Sequence, residues 1–549
     1  MHGARARIAI AFALATMAVC FAAAPAGAAL RWTKPETLMD GGYPGTVAID
    51  ARGDVLAIWQ RNVSAGTSET FYAWRAPRGE WTEPRRIDVS RPHGGLSVSL
   101  TPRGAATVGW LDAAGNVRVA DARAGGSFDR PEVVASGVHR GGGVRLTTDD
   151  AGNALVAWLD PIPTGRMNAG ATIFAASRRA GGEWSKPENL SGDVAGAGPF
   201  VAMNAAGAAV VEWMTVVGGL PEVAYRPPAG GFGAVERPPL GGPTYPSNIA
   251  VDDTGRVHIA TGSPAFRPGP VRTVMTTRSP LGGWSDPLEI ETPGAAPSSL
   301  HVQPDGTANL LMNNYDDQGH NRVQFATRRP DGTVVGPFTL ADDAVAGRGA
   351  MNLRGDVLAG WATPPEGQKA KGPVRVADKL SNLTAFGPPV TVSSAPGVFP
   401  EFALNDARQA AAVWAAGGYG NPSFVVAVRE DPTDPVLPFP PAVDVDAPIP
   451  TIDGDGDLLV PVTCSGACTA NASGIVATGG GDELRRGSAK SRRLTAKRRS
   501  RLTLDFGSAG AKAVRRAIKA GRKPTVYLSV RARGKSPRPM TVSRRVRLR

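Results

Sequence analysis

The chain has 549 residues, 42% of them apolar and only 20% charged, with 68 Gly and 48 Pro. That length suits about two to four domains with a large buried core, so the fold needs no metal and no dense disulfide framework, and Gly plus Pro fall short of a collagen-like or low-complexity chain. Plentiful Gly, Val, Ala and Pro with few charges favours short strands and tight turns over charged surface helices, which predicts a mostly β fold.

At the start, Arg5 and Arg7 precede an uncharged, Ala-rich stretch from Ile8 to Ala24 and then Pro25-Ala26-Gly27-Ala28-Ala29. This is the pattern of a secretory signal peptide over residues 1–28, with small residues at Ala26 and Ala28 marking a cleavage site. An uncleaved anchor is the alternative, but the apolar stretch is short, and no later segment is long and apolar enough to span a bilayer. Val19 stands where a lipoprotein signal ending at Cys20 wants a small residue. The expected location is secreted or extracellular, with attachment to the cell surface left open, and the excess of Arg over Lys beside abundant Ala suggests a GC-rich bacterial genome. Once Cys20 leaves with the signal, Cys464 and Cys468 remain, and two thiols of an exported protein are expected to pair. Gly466 gives the C-S-G-A-C loop the freedom so tight a ring needs. A zinc site there would need two more ligands from afar, and no His lies nearby.

An internal repeat organises residues 30 to 440. A turn glycine is followed six residues later by an aromatic or apolar residue in Gly53/Trp59, Gly104/Trp110, Gly152/Trp158, Gly207/Trp213, Gly255/Thr261, Gly306/Met312 and Gly355/Trp361, and Arg408/Trp414 takes the same phase. Successive intervals of 51, 48, 55, 48, 51, 49 and 53 residues are the size of a propeller blade. Alternating residues on both sides of each turn, as in Thr46 to Asp50 and Asp54 to Trp59, predict a hairpin of strands one and two. A third strand, a Gly-rich turn and an aromatic follow, with Trp81, Phe128, Trp184, Phe232, Trp284, Val334 and Phe386 in the equivalent place, usually before a Pro. Trp32-Thr33-Lys34-Pro35 is such a fourth-strand motif lying ahead of any hairpin, whereas the eighth unit stops after its third strand at Phe424 to Arg429. The N-terminal segment is therefore expected to complete the last sheet and close the ring, which removes an exposed edge. Eight blades are expected. Seven is the alternative if a unit between residues 300 and 440 is displaced, and Phe439-Pro440-Pro441 is a rival closing strand.

The segment Ser177-Arg178-Arg179-Ala180-Gly181-Gly182-Glu183-Trp184 resembles a degraded Asp-box, the S-x-D-x-G-x-T-W turn of sialidase-type propellers. Ser177, Gly181 and Trp184 match, while Arg179 and Glu183 replace the Asp and Thr. The resemblance implies the fold. Sialidases also carry an arginine cluster, a Tyr paired with a carboxylate and an F-R-I-P-like strand near the start; that strand is missing here, so no catalytic residue is carried over.

Other chemistry is sparse. His93, His139, His258, His301 and His320 are scattered without ligand spacing and suit surface or loop positions. No nucleophile elbow or P-loop is present. Asp149-Asp150, Asp252-Asp253, Asp316-Asp317 and Asp342-Asp343 offer the paired carboxylates of glycoside hydrolysis, but the first two pairs sit in turns, where Asp bonds its own backbone. No catalytic residue, cofactor or metal is expected. The recurrent Trp residues suit packing between blades better than sugar stacking, and Phe71, Trp74, Tyr245, Tyr315 and Tyr419, outside the repeat phase, are the candidate ligand contacts.

Beyond a propeller over 29–431, the Pro-rich stretch 432–444 is expected to be a stiff linker. Residues 445–549 hold 23 Lys and Arg against 7 Asp and Glu, a net of +16, which leaves −3 for the rest of the chain. Alternation in Leu458 to Cys464, Arg501 to Leu504, Thr525 to Arg531 and Met540 to Leu548 predicts strands, and Ala509 to Ala520 a helix ended by Gly521, together a small Ig-like β-sandwich with one short helix. The module resembles those that end many exported actinobacterial proteins. Asp453-Gly454-Asp455-Gly456-Asp457 is better explained as a turn than as a calcium loop, since Leu458 and Cys464 occupy positions that an EF-hand gives to Gly and Glu. Arg485, Arg486, Lys490, Arg492, Arg493, Lys497, Arg498, Arg499 and Arg501 form a run able to bind a polyanion, or else a solvated basic loop.

The leading expectation is a secreted, non-enzymatic, monomeric propeller that binds a glycan or protein ligand, with the basic domain associating with anionic envelope polymers. A sialidase-like glycoside hydrolase and a structural or protein-interaction scaffold are the rivals.

Overall fold

The turn glycines that set the repeat share one backbone state. Gly53, Gly104, Gly152, Gly207, Gly255, Gly306 and Gly355 have φ between 80° and 104°, and Arg408 reaches the same region at 64°, so a residue without Cβ is favoured at each first-to-second-strand turn. The computed structural model describes residues 30–64, 67–90, 95–139, 143–161, 171–240, 248–263, 271–290, 294–315, 321–363, 372–417, 422–431, 436–446, 451–478 and 484–548. The signal-peptide segment, Cys20, His93, Tyr245, Asp316-Asp317, His320 and Tyr419 lie outside them, as do the side chains of Tyr315 and Arg485.

The regular structure of the described chain is almost entirely antiparallel strand, in a propeller-like arrangement. Four sheets have four strands in sequence order, the first being Gly42–Ile49, Val55–Ser64, Thr67–Arg75 and Arg85–Ser90. Repeats three and four share one larger sheet, joined where Ala171 meets Gly196, and repeats seven and eight share another because the long strand Val390–Leu404 runs from one into the other. The N-terminal segment completes this last sheet: Arg31 and Trp32 pair with Glu430 and Arg429, and Glu36–Asp40 pairs with the Ser423–Val426 end of the same strand. Phe439-Pro440-Pro441, the rival, forms no strand; the Phe439 ring lies 4.7 Å from the Arg52 guanidinium, and the Pro440 carbonyl accepts from Arg103.

Apolar residues pack between repeats. Each ring cluster joins two consecutive repeats, such as Leu56, Ile58 and Trp74 with Val108 and Trp110, and one joins the last to the first through Trp59, Phe71, Val413 and Phe424. Trp59, Trp110, Trp158, Trp213, Trp361 and Trp414 are at most 2% exposed, as their shared strand position requires, and Trp59 stacks on Phe424 at 4.7 Å. A glycine 17 residues earlier admits the indole at Gly42/Trp59, Gly196/Trp213 and Gly397/Trp414, where a Cβ would come within 3.0 Å of the ring.

The C-terminal strands Val443–Val445, Asp457–Cys464 and Ser500–Asp505 form one set, and Leu484–Ser488 with Arg492–Leu494, Cys468–Ala477, Thr525–Arg533 and Met540–Arg547 form another. The two sets touch through the bridge Ser488 to Asp505 and share one core of Val460, Leu504, Val526, Leu528 and their neighbours. Cys464 and Cys468 are disulfide-bonded; they end one strand and begin the next, strands that belong to different sets, so the bond pins the corner between them. The helix Gly507–Lys519 buries Ala511, Ala513, Val514 and Ala517, exposes Lys512, Arg515 and Arg516, and ends at Gly521, whose φ is 71°. Part of the expected basic loop is instead strand, because Leu484–Ser488 and Arg492–Leu494 both line one edge of Cys468–Ala477. The Asp453 carboxylate accepts the N–H groups of Asp455, Gly456 and Asp457, which makes that segment a turn.

Candidate functional site

Most first-to-second-strand turns of the ring are held by one side chain folded onto its own backbone. Asp50 Oδ1 accepts the N–H groups of Arg52, Gly53 and Asp54 at 2.8–2.9 Å, and Asp149, Asn204, Asp252, Asn352 and Asn405 repeat the pattern. Several turns also reach the next one: Asn204 and Asn352 donate to the Asp252 and Asn405 carbonyls, and Asn405 donates to Asp50 O at 3.0 Å, joining repeats eight and one. The residue after the turn former is an acid in three repeats, giving Asp150, Asp253 and Asp406.

The C-terminal unit meets the ring at these acids. Its strands Thr525–Arg533 and Met540–Arg547 present one polar face, from which Arg531 pairs with Asp253 and Ser543 Oγ donates to the Ala206 carbonyl. Arg538, in the hairpin between them, donates to Asp150 Oδ1 at 3.1 Å and lies 3.8 Å from Asp406 Oδ2. Thr541 N–H donates to Asp150 Oδ2. Burial pushes the Asp150 and Asp406 carboxyls up, and Arg538 works against it. Burial opposes the charge of Arg538 too, but Asp150, Asp406 and Asp253 outweigh it and hold the guanidinium more firmly charged.

Arg538 thereby closes one end of a central chamber of about 360 Å³, to which the innermost strand of every repeat contributes, in order, Ile49, Leu100, Thr147, Met203, Ile249, Leu300, Met351 and Leu404. An arginine–carboxylate cluster at the ring centre is what a glycosidase of this fold would need. Here the arginines come from outside the ring, and the Asp150 and Asp406 side chains are only 4% and 2% exposed, so the cluster is a docking contact. Asp149 and Asp252 are turn formers as expected, while their partners Asp150 and Asp253 serve docking.

Beside this contact lies a second cavity, a cleft of about 460 Å³ between repeats four and five and the outer face of the C-terminal strands. Tyr225, Pro227, Pro280 and Leu281 form its ring side, and Ile475, Arg486, Tyr527 and Ser529 its other side. Two carboxylates reach it already partnered: Glu236 by Arg278 at 2.6 Å and by the Trp284 indole N–H at 2.9 Å, and Asp253 by Arg531.

Of the expected polyanion run, Arg486, Lys490, Arg492, Arg493, Lys497, Arg498, Arg499 and Arg501 are all exposed. Among the described residues only Arg499 of these has an ion-pair partner, Asp446 at 2.8 Å. Arg492 and Arg493 sit on one edge strand, and Arg492 donates to the Arg501 carbonyl at 2.9 Å, which ties that strand to the next.

The other candidates fare differently. Phe71 and Trp74 are buried at 9% and 2% exposure in the inter-repeat cores, since packing between sheets claims strand-three aromatics as well as the Trp of strand two; they are not ligand contacts. His258 is buried and bonded to Asp252, and His301 is half-buried in the wall of the central chamber and bonded to the Gly349 carbonyl, where surface or loop positions were expected; both lie on the ring's strands. His139, exposed, pairs with Asp160. In the Asp-box-like turn Trp184 lies 4.7 Å from the Arg178 guanidinium and packs on the neighbouring core.

That contact belongs to a set not anticipated from sequence. A cation six residues before the turn aromatic, in Arg75/Trp81, Arg178/Trp184, Arg226/Phe232 and Arg278/Trp284, is buried at 6–8% exposure. Arg75 pairs with Glu430, Arg178 with Asp121, Arg278 with Glu236 and Arg429 with Asp378, each time reaching the preceding repeat. For Arg429 the aromatic is Trp32, 5.7 Å away on the N-terminal strand. The constant offset was the available signal.

No family model and no curated protein matches the chain. Among solved structures it is similar to the BP39L lectin from Burkholderia pseudomallei, at 15% identity and a TM-score of 0.45 over 65% of this chain and 100% of that one. It is also similar to a fungal alcohol oxidase of the AA5 family in complex with copper, at 12% identity and a TM-score of 0.41 over 94% and 99% of the two chains. Polysaccharide lyase Uly1 is similar at 10% identity and a TM-score of 0.42 over 71% and 90%. None of these likenesses is strong enough to assign a ligand or a reaction. No helix among the described residues is long and apolar enough to cross a membrane, and no cluster of three or more His, Cys, Asp or Glu able to hold a metal occurs among them.

Proposed function

We propose that the chain is an exported, non-enzymatic binding protein. An eight-bladed propeller of residues 29–431 carries a glycan or protein ligand, and after a linker at 432–444 a basic Ig-like sandwich of residues 445–549 holds an anionic polymer of the cell envelope. The observation that carries this reading is the contrast in pairing: the ring's strand-three arginines are buried against carboxylates, whereas Arg486, Lys490, Arg493, Lys497, Arg498 and Arg501 stand in solvent without an ion-pair partner among the described residues. A surface of one sign, left unneutralised by its own chain, attracts polyanions over roughly a Debye length, about 10 Å at moderate salt. The eight-blade count is supported by inter-repeat cores that return from the last repeat to the first.

The test is binding of the full chain to an immobilised teichoic-type polymer at low and high salt. The expected result is binding that weakens steeply with salt and is lost in the triple variant R493A/K497A/R498A. Equal binding by the variant and the parent protein, or none by the parent, overturns the reading.

A further inference from the structure

We infer that the cleft between the ring and the C-terminal unit seats a sugar acid unit of an acidic polysaccharide, with the rest of the polymer following the exposed basic residues. The inference rests on the polyanion reading and adds a seat to it. At about 460 Å³ the cleft falls within the roughly 300–1,000 Å³ of small-molecule sites, and it lies at a junction of two units, where such sites concentrate. Half-buried Tyr527 and Pro280 line it from opposite sides, and Tyr225, 6% exposed with the Arg278 guanidinium 4.3 Å from its ring centroid, backs the ring side. Leu281, 42% exposed, is a large apolar side chain at the rim. Faces of this kind suit the C–H face of a sugar ring.

The polar groups select within that class. Arg486 is exposed, without an ion pair among the described residues, and belongs to both the cleft and the basic run. It is placed to meet one carboxylate of a ligand whose other charges continue along the C-terminal surface. Glu236 is paired with Arg278 and Asp253 with Arg531, yet each carboxylate has lone pairs to spare for accepting hydroxyl protons. A chain of phosphates would bring two or more negative charges against Glu236 and Asp253 with no hydroxyls to offer them. A uronic acid ring carries one carboxylate for Arg486 and several hydroxyls for the two acids, and so fits the charge order of the cleft.

The experiment compares the full chain binding polygalacturonate and polyphosphate at low and high salt, with digalacturonate as a competitor too short to follow the basic surface. Both polymers bind at low salt, polygalacturonate binding persists at high salt, and digalacturonate displaces it. Tyr527→Ala lowers polygalacturonate affinity by about tenfold, the size of one aromatic contact, with polyphosphate binding unchanged. Leu281→Asp, on an exposed turn of the ring where folding is not at stake, gives the same selective loss. The triple variant R493A/K497A/R498A weakens both polymers at low salt. If Leu281→Asp and a folded Tyr527→Ala leave polygalacturonate affinity unchanged, or if both polymers are released alike by salt, the seat is overturned while the polyanion reading stands. If neither polymer binds the parent protein at low salt, both fall together.

Discussion

At the ends of the third strands Arg75, Arg178, Arg278 and Arg429 are 5–8% exposed and each is matched to a carboxylate of the preceding repeat, whereas the arginines of the C-terminal edge strands stand in water with almost no acid among the described residues to meet them. The ring uses arginine as a fastener. Buried, a guanidinium is tolerable only if its charge and N–H donors are answered, so each pair fixes the register of one repeat against its neighbour. In the C-terminal unit the same residue is left to solvent, where it adds little to stability and remains free for an external partner. Burial therefore separates structural arginines from those available for binding, a distinction composition alone cannot make. Net charge follows it: the repeats balance their charges internally, and the excess collects where nothing covers it.

The contrast breaks most visibly at Arg75. Arg75→Ala strands Glu430 in the seam between repeats eight and one and is expected to destabilise the protein by about 3–5 kcal/mol in chemical denaturation. Restoration of most of that loss by the apolar pair R75M/E430L would show that matching, more than the ion pair itself, is what the seam needs. Arg538→Ala leaves Asp150 and Asp406 buried without their cation, with an expected cost of about 1–3 kcal/mol. It should appear as faster proteolysis within 432–444, because the lost contacts are those between ring and C-terminal unit.

A smaller effect follows from pH. The Asp50 carboxyl is pushed up to about 7 by burial and by the neighbouring Asp54, while in the unfolded chain it titrates near 3.9. The folded state therefore holds a proton that the unfolded state has released, so the contribution is fully present below about pH 4 and is lost as pH rises through about 7. Asp50→Asn should raise stability at pH 8 by on the order of 2 kcal/mol and change little at pH 4. Asn405 already holds the same turn without a charge. Smallest of all, the double variant R493A/K497A should shift unfolding by less than about 0.5 kcal/mol while reducing the salt dependence of polyanion binding; a large loss of stability would show that these cations are structural after all.

Much of this is legible in the sequence itself. The Gly/Trp offset of six residues marks five of the eight first hairpins because both positions answer to backbone and packing constraints, the positive φ of Gly53 and the inter-repeat burial of Trp59. The stray Trp32-Thr33-Lys34-Pro35 motif correctly places the N-terminal strand beside Phe424 to Arg429. The buried cations are less legible, because an arginine in a sequence gives no sign of its burial, although Arg75, Arg178, Arg226 and Arg278 keep a fixed distance from the turn aromatics. Leu484–Ser488 and Arg492–Leu494 were hidden for another reason: edge strands face water on much of their surface, so Arg at successive positions erases the alternation that betrays a strand. The docking acids are not a sequence property. Asp150 and Asp406 are 256 residues apart and meet only because repeats three and eight present their turns to the same hairpin.

The seam has a mechanical side. Arg31 lies directly across from Glu430, and Asp40 from Ser423, so tension applied between residue 31 and residue 430 pulls on two neighbouring points at one end of the antiparallel pair. The bonds would then peel one after another, as a zipper does, rather than resist together in shear. A ring that is stable to heat and denaturant can still be opened by a modest tug at this point, and a load carried between the N-terminal segment and a C-terminal unit held on a polymer would be felt there first.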